Sequence, residues 1–386
     1  MMSRKICVVS GTRAEWYLLK RLCECIDQDD ELTLQLVVTA AHLSKDFGFT
    51  YQEIEKEFKV DKKIPILLSN DDKISICKSM GLLQISLCEA FEELKPDMVV
   101  ILGDRYEMLS CASTCLLMQI PLAHLCGGEL TLGAIDDSIR HAISKMAHLH
   151  FVSTQNYANR ILQLGESKER VFNVGSLGGE NIKNMIFLSK NELQKELNLT
   201  FNKNIYLITY HPQTIQTTSV EEEVRLLLDF LDSLENSTLI FTKANADENG
   251  LFINKLLEKY CIKQSHKARL FDNLGSKRYL SLMKISSMLI GNSSSGICES
   301  PFFKIPCINI GNRQEGRIFA DNIINCDIYH LKQAFLYTNT KEYQEKLKNF
   351  TNPFECKEDN TSVMIKDIIK NISLEKILYK KFVDMQ

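Results

Sequence analysis

The chain has 386 residues, long for one hydrophobic core and suited to two domains of ordinary size. Hydrophobic residues make up 45% of it and charged residues 25%, a globular balance that excludes a disordered chain. The formal net charge is −3 with no basic block, which argues against nucleic acid or an anionic membrane as the main partner. An anionic ligand would then be held by a few placed cations.

From the N-terminus, the apolar run at residues 6–9 ends at Gly11, too short for an export signal, and no segment reads as the roughly 20 apolar residues of a membrane span. Residues 5–10 read as a first strand, 14–26 as a helix and 33–39 as a second strand. Strands at 98–102 and 121–125 are separated by a helix at 107–118, and a helix at 137–147 leads to a strand at 150–153. His148 and His150 alternate there and read as structural.

The rhythm pauses at Gly175, Gly178 and Gly179, a crossover that places the domain boundary near residue 175, and then restarts. Strands follow at 205–210, 238–242, 268–271, 287–291 and 307–310, with a helix at 220–234. Near the C-terminus Ile365, Ile368, Ile369 and Ile372 share a helical face. The β-α-β-α order predicts an α/β protein of two Rossmann-like domains with parallel sheets. We expect one domain over 1–175 and one over 176–361, with the terminal helix, about 362–386, docking back on the first. The 13 cysteines are odd in number and lack any zinc or C-x-x-C spacing, so they read as reduced packing residues of a cytosolic protein.

In open parallel sheets ligands bind beyond the carboxyl ends of the strands. The informative residues should therefore follow the strands. After the first comes Gly11-Thr-Arg-Ala-Glu15, where free backbone N–H groups and Arg13 suit a phosphate. It is not the G-x-G-x-x-G of a dinucleotide site. After the strand at 98–102 come Gly103, Asp104 and Arg105; Asp104 fits a general base or a cap of the next helix. After the strand at 121–125 come Cys126, Gly127, Gly128 and Glu129, then Asp136 and Asp137, either of which fits a cap of the helix carrying Arg140 and His141.

In the second half, Pro212 fixes a turn that presents His211, and Asn245 follows the strand at 238–242. Gly291-Asn-Ser-Ser-Ser-Gly296, with Ser293, Ser294 and Ser295 and then Glu299, reads as a phosphate cradle at a helix start. It lacks the lysine of a nucleoside-triphosphate loop. Arg313 and Arg317 follow the last strand. Phosphate-binding features thus gather in the second half and carboxylates in the first, as a sugar linked to a diphosphate would require. No metal ligand set is needed.

Taken together, these motifs resemble the UDP-N-acetylglucosamine 2-epimerase family along nearly the whole chain, from Gly11-Thr-Arg-Ala-Glu15 to Gly311-Asn-Arg-Gln-Glu-Gly-Arg317. Gly103-Asp-Arg105, Gly127-Gly-Glu129 and Ile135-Asp-Asp-Ser-Ile-Arg-His141 look like its hydrolysing branch. The resemblance implies the glycosyltransferase-B architecture, with substrate in a cleft between the domains, and a homo-oligomer, dimer or tetramer. It implies a reaction without cofactor. The C2 proton is removed and the nucleoside diphosphate leaves C1; water then adds to the glycal, releasing the free 2-epimeric sugar. UDP-N-acetylglucosamine and UDP- or GDP-linked N,N′-diacetylbacillosamine are both open as substrates, in the making of sialic or legionaminic acid.

By this likeness Asp104 and Asp136 match catalytic carboxylates, and we expect Glu129 and His211 to join them in the catalytic set. The resemblance also matches Arg13 to a phosphate-side arginine and His211, Ser293, Ser294, Glu299 and Arg313 to nucleotide contacts, Glu299 on the ribose. From their places after the strands, Arg105, Arg140, His141, Asn245, Ser295, Gly296 and Arg317 are expected to bind nucleotide and sugar as well. One departure stands out: two residues after His124, where many members carry a catalytic glutamate, the chain has Cys126, and a thiol does not replace a carboxylate at neutral pH. Glu129, Asp136 or Asp137 would take over its proton transfer. The competing readings are a glycosyltransferase of the same architecture and a non-catalytic nucleotide-sugar sensor.

Overall fold

A computed structural model describes residues 3–45, 48–68, 72–132, 135–212, 219–244, 250–272, 274–355 and 360–384. The chain forms two compact units. The first comprises Met1–Glu129, Ala134–Asn181 and Cys356–Gln386, and the second Leu130–Gly133 and Ile182–Glu355.

The first unit is built on a parallel sheet of seven strands: β1 (Arg4–Ser10), β2 (Leu32–Thr39), β3 (Lys62–Ile64), β4 (Met98–Leu102), β5 (Leu122–Leu125), β6 (Leu149–Val152) and β7 (Val171–Asn173). Their spatial order is β3-β2-β1-β4-β5-β6-β7. Because β1 lies between β2 and β4, the winding reverses at the β1/β4 junction, the switch point at which such sheets bind ligands. All five residues of β4 are buried, as expected of a strand covered by helices on both faces. Ile6, Val8, Val100 and Leu102 pack on one face with Leu19 and Leu22 of the helix Arg13–Asp27. Cys7, Val9, Val99 and Ile101 pack on the other with Leu83 and Leu87 of the helix Lys73–Leu94.

The helix Lys73–Leu94 corrects the reading that no segment matches a membrane span: at 22 residues it is long and apolar enough by length and composition. One stripe of it, Leu83, Leu87 and Phe91, is fully buried in the core of the first unit.

In the second unit a six-stranded parallel sheet runs β10-β9-β8-β11-β12-β13. The strands are β8 (Asn204–Thr209), β9 (Ser237–Thr242), β10 (Ala268–Phe271), β11 (Met288–Gly291), β12 (Cys307–Ile310) and β13 (Ile323–Cys326). Its switch point is the β8/β11 junction. Strands β3, β7 and β13 are absent from the sequence reading. All three are sheet edges of three or four residues, too short to show a periodicity.

The units divide after Asn181 rather than at residue 175. The segment beyond the glycines stays with the first unit because Leu177 enters its core and buried Glu180 pairs with Arg21 at 3.2 Å. Glu180 also accepts from the N–H of Ser362, at the start of the helix Thr361–Asn371. That helix buries Ile365 and Ile369 beside Ile6 and Leu22. Further on, the tail is held by Glu166, which is 1% exposed and accepts from Lys145 (2.6 Å) and His150 Nε2 (3.2 Å) and pairs with Lys380 (2.8 Å).

Candidate active and nucleotide-binding sites

At the switch point of the first sheet three turns leave side by side. The register pairs Val8 with Val100 and Leu102 with Leu125, so the turns at Gly11, Gly103 and Cys126 follow adjacent strands. In the first, Thr12 and Glu15 form a capping box: Thr12 Oγ1 accepts from the Glu15 N–H, while Glu15 Oε2 accepts from the N–H groups of Gly11 (2.7 Å) and Thr12 (3.2 Å). This corrects the expectation of free N–H groups for a phosphate, because the chain's own carboxylate already holds them. Arg13 is exposed beside this turn.

Glu15 is 5% exposed, and burial pushes its carboxyl up to about 7 against the opposing Gly11 hydrogen bond; Glu107 pushes the same way and Arg105 the other. Its folded-state pKa lies above the unfolded one, so its stabilisation is complete below about pH 4.5 and is lost as pH rises through 7. Glu15→Gln should therefore remove about 2 kcal/mol of stability loss between pH 5 and pH 8. Urea midpoints at the two pH values check this; an unchanged slope would exclude Glu15 as its source.

The second turn rules out Asp104 as the cap of the next helix. The N-cap of the helix Tyr106–Leu117 is Arg105, with no side-chain cap bond, and Arg105 itself grips fully buried Glu107 through two hydrogen bonds of 3.1 Å. The Asp104 side chain, 25% exposed, instead meets Arg140 Nη2. Arg140 sits on the helix Ile135–Met146, is 2% exposed, and also donates to the Glu129 carbonyl at 2.9 Å and pairs with Asp137 at 3.6 Å. A buried guanidinium thus gathers the Asp104 carboxylate, the Glu129 carbonyl and, from its own helix, Asp137.

The backbone of the same turn is held separately. His124 Nε2 lies 2.7 Å from the Gly103 carbonyl and Nδ1 lies 3.1 Å from Ser144 Oγ. Burial drives the His124 pKa down to about 3, so the ring is neutral; a carbonyl only accepts, so Nε2 carries the proton. Ser144 and Arg140 are one turn apart on one helix, which therefore braces both the backbone and the carboxylate of the Asp104 turn.

Asp136 is half-buried in the first turn of that helix, Glu129 is half-buried, and His141 lies 3.5 Å from Asp137 with its pKa lowered by burial. Cys126 has left-handed backbone (φ 63°) and packs against the core cluster of the first sheet. The first unit thus presents Asp104 beside a set of carboxylates with a fixed counter-charge, an arrangement able to take up and return a proton.

At the switch point of the second sheet, Tyr210 and His211 follow β8 and the serine run follows β11. Ser293 caps the helix Ser294–Cys298, whose five residues make its dipole small, and Ser294 is exposed. Ser295 Oγ donates to Glu299 Oε2 at 2.6 Å and lies 3.0 Å from Tyr279 OH; burial raises the Glu299 carboxyl, partly offset by that bond. Gly296 is buried where a Cβ would sit 2.9 Å from Cys307 Sγ. A small cavity here is lined by Thr209, Tyr279, Gly291, Ser293, Gly296 and Asn309.

His211 is 6% exposed, and burial, reinforced by Arg313, drives its pKa down to about 3. Arg313 donates to the Asn292 carbonyl (3.3 Å) and Arg317 to Cys298 Sγ (3.5 Å). Asn245 lies outside the described residues. Sequence reasoning passed over Tyr279, Ser144 and Asn292, which meet the expected residues only through folding.

A two-unit α/β protein with carboxylates at one switch point and hydroxyls, His211 and Arg313 at the other has the features of a nucleotide-sugar enzyme. Residues 24–370 match the family model described as UDP-N-acetylglucosamine 2-epimerase, so the chain belongs to that family. It is 63% identical over 385 residues, spanning 100% of both chains, to the GDP/UDP-N,N′-diacetylbacillosamine 2-epimerase (hydrolyzing) of Campylobacter jejuni. It is 32% identical to the UDP-N,N′-diacetylbacillosamine 2-epimerase (hydrolyzing) of Legionella pneumophila, over 85% of this chain and 86% of that one. In fold it is similar to the UDP-GlcNAc 2-epimerase of Neisseria meningitidis bound to UDP-GlcNAc, with a TM-score of 0.80 at 18% identity over 95% of this chain and 100% of that one. The chain is an enzyme of the hydrolysing 2-epimerase type.

Proposed function

We propose that the enzyme converts N,N′-diacetylbacillosamine linked to GDP or UDP, plus water, into the free 2-epimeric sugar and the nucleoside diphosphate. The observation that carries this substrate is the full-length 63% identity to a relative bearing that name. In the first step a carboxylate, Asp104, takes the proton from C2; the C2–H electron pair forms the C1=C2 bond and the C1–O pair leaves with the diphosphate. In the second, water bonds to C1 and loses a proton, while C2 takes a proton on the opposite face. Asp136 and Glu129 are the carboxylates we assign to that return, because Cys126 stands where the family glutamate would be. His211, Arg313 and the serine run hold the diphosphate, and Glu299 the ribose. The free sugar would feed the making of a nonulosonic acid of the legionaminic type.

The test is turnover in D₂O, followed by proton NMR, with UDP-diacetylbacillosamine, GDP-diacetylbacillosamine and UDP-N-acetylglucosamine in parallel. Release of nucleoside diphosphate with a manno-configured free sugar deuterated at C2 is expected, fastest from a diacetylbacillosamine donor. Faster turnover of UDP-N-acetylglucosamine would overturn the substrate, and product that appears only with an acceptor would overturn the reaction.

We further propose a cytosolic homo-oligomer. All twelve described cysteines are free thiols, in keeping with a reducing compartment. On two adjacent helices, Ile74 (67% exposed), Ile85 (64%) and Leu117 (73%) are large apolar side chains left in solvent, which a second copy of the chain would cover. Ile85→Glu should lower the solution mass to that of a smaller species in light scattering. A wild type already monomeric at micromolar concentration would exclude the oligomer.

A further inference from the structure

Asn292 follows β11 directly and is 1% exposed. Its N–H donates to the Thr209 carbonyl at 3.1 Å, carrying the β8–β11 ladder one residue past its last pair, Gly291 with Thr209. Its side chain then takes over the role of a strand. Oδ1 accepts from the His211 N–H at 2.7 Å, and Nδ2 donates to the His211 carbonyl at 2.8 Å. A backbone N–H only donates and a C=O only accepts, so this orientation of the amide is dictated. The main-chain oxygen of Asn292 accepts in turn from Gln314 Nε2 at 2.8 Å and Arg313 Nη1 at 3.3 Å.

One buried residue therefore ties the end of β8 to the end of β11 and to the loop after β12. The pairing with His211 needs a donor and an acceptor side by side at short reach. A carboxylate lacks the donor and an apolar side chain lacks both, while a hydroxyl carries donor and acceptor on a single atom that cannot meet the two groups side by side.

We propose that Asn292 is a positioning residue of the nucleotide site, holding His211 and Arg313 in one mutual arrangement so that imidazole and guanidinium meet the diphosphate together. This rests on reading the second unit as the nucleotide-binding half. The benefit is pre-organisation: two side chains already aimed lose little freedom when the ligand arrives.

The test is calorimetric titration of the full chain with UDP and with GDP, for the wild type, Asn292→Ala, His211→Ala and the double variant. Asn292→Ala is expected to weaken the preferred nucleotide about tenfold and to raise KM in step. Because it acts through His211, the double variant should bind no more than about threefold worse than the weaker single one. If Asn292→Ala fails to fold, Gln314→Met removes one donor to the same carbonyl and leaves the side-chain pair intact. It should weaken binding about threefold, an effect lost in an Arg313→Ala background.

Wild-type affinity in Asn292→Ala or Gln314→Met, or effects that simply multiply in the double variants, would overturn the positioning role while leaving the activity standing. A wild type that binds neither UDP nor GDP would sink the nucleotide site and this role with it. Tight binding and the expected cycle without turnover of any nucleotide sugar would uphold the role and overturn the proposed reaction.

Discussion

Asp104→Asn is expected to lower kcat by about 10³-fold while UDP or GDP affinity stays near wild type, because a proton-transfer group contributes on the order of 10²–10⁴ in rate and the proposed function assigns most nucleotide contacts to the second unit. Asparagine keeps the shape of aspartate and still accepts from Arg140, so the turn should survive. What it loses is basicity. The variant should neither exchange the C2 proton in D₂O nor release diphosphate. Retained C2 exchange with slow release would move the base elsewhere, to Glu129 or Asp136. Arg140→Leu is the informative contrast. It leaves Asp104 without its counter-charge and strips a donor from the Glu129 carbonyl, so stability should fall together with turnover, by about 3 kcal/mol for a broken buried pair. Asp104→Asn keeps a hydrogen bond from Arg140 but removes a charge facing that buried guanidinium, which retains Asp137, so its stability cost should be smaller, about 1 kcal/mol. Thermal melts of the two variants separate loss of chemistry from loss of fold.

Gly291→Ala should be the most damaging single methyl in the second unit, costing about 4 kcal/mol or preventing its folding. Gly291 closes β11 at φ +143°, and a Cβ there would lie 2.0 Å from the Thr209 carbonyl oxygen and 2.7 Å from its carbon. Both are backbone atoms of the neighbouring strand, so no rotamer change relieves the clash; β8 and β11 must part at the switch point. The pairs between Asn292 and His211 lie one residue further on, so nucleotide binding should fail with the fold. Gly81→Ala is the control. It lies inside a helix with nothing within 4 Å of the added Cβ, and should stabilise by about 0.5–1 kcal/mol. Urea unfolding of both variants measures the difference. A Gly291→Ala protein as stable as wild type would mean that the two strand ends are more loosely joined than the geometry requires.

Much of this molecule was legible along the chain because it depends on near neighbours. Runs such as 98–102 show their burial in β-branched and apolar residues, and the glycine turns after them mark where strands stop, so the parallel α/β order and the positions of both switch-point loops followed from local pattern. The capping box of Thr12 and Glu15 was legible too, since Ser or Thr three residues before Glu is a known helix start, yet the turn was read as an open phosphate site.

What only the tertiary structure decided are the partnerships between distant segments. Arg140 clamps Asp104 across 36 residues, His124 braces Gly103 across 21, and Asn292 pairs with His211 across 81. None of these has a sequence period, because each arises from the order in which the strands lie side by side. The same holds for the short edge strands and for Glu166 and Glu180, the partners that hold the C-terminal segment whose return to the first unit was already expected. The residues of the candidate sites are thus set by the sequence locally, whereas which of them carry a charge, a proton or a fixed orientation is set by burial and by neighbours that only folding supplies.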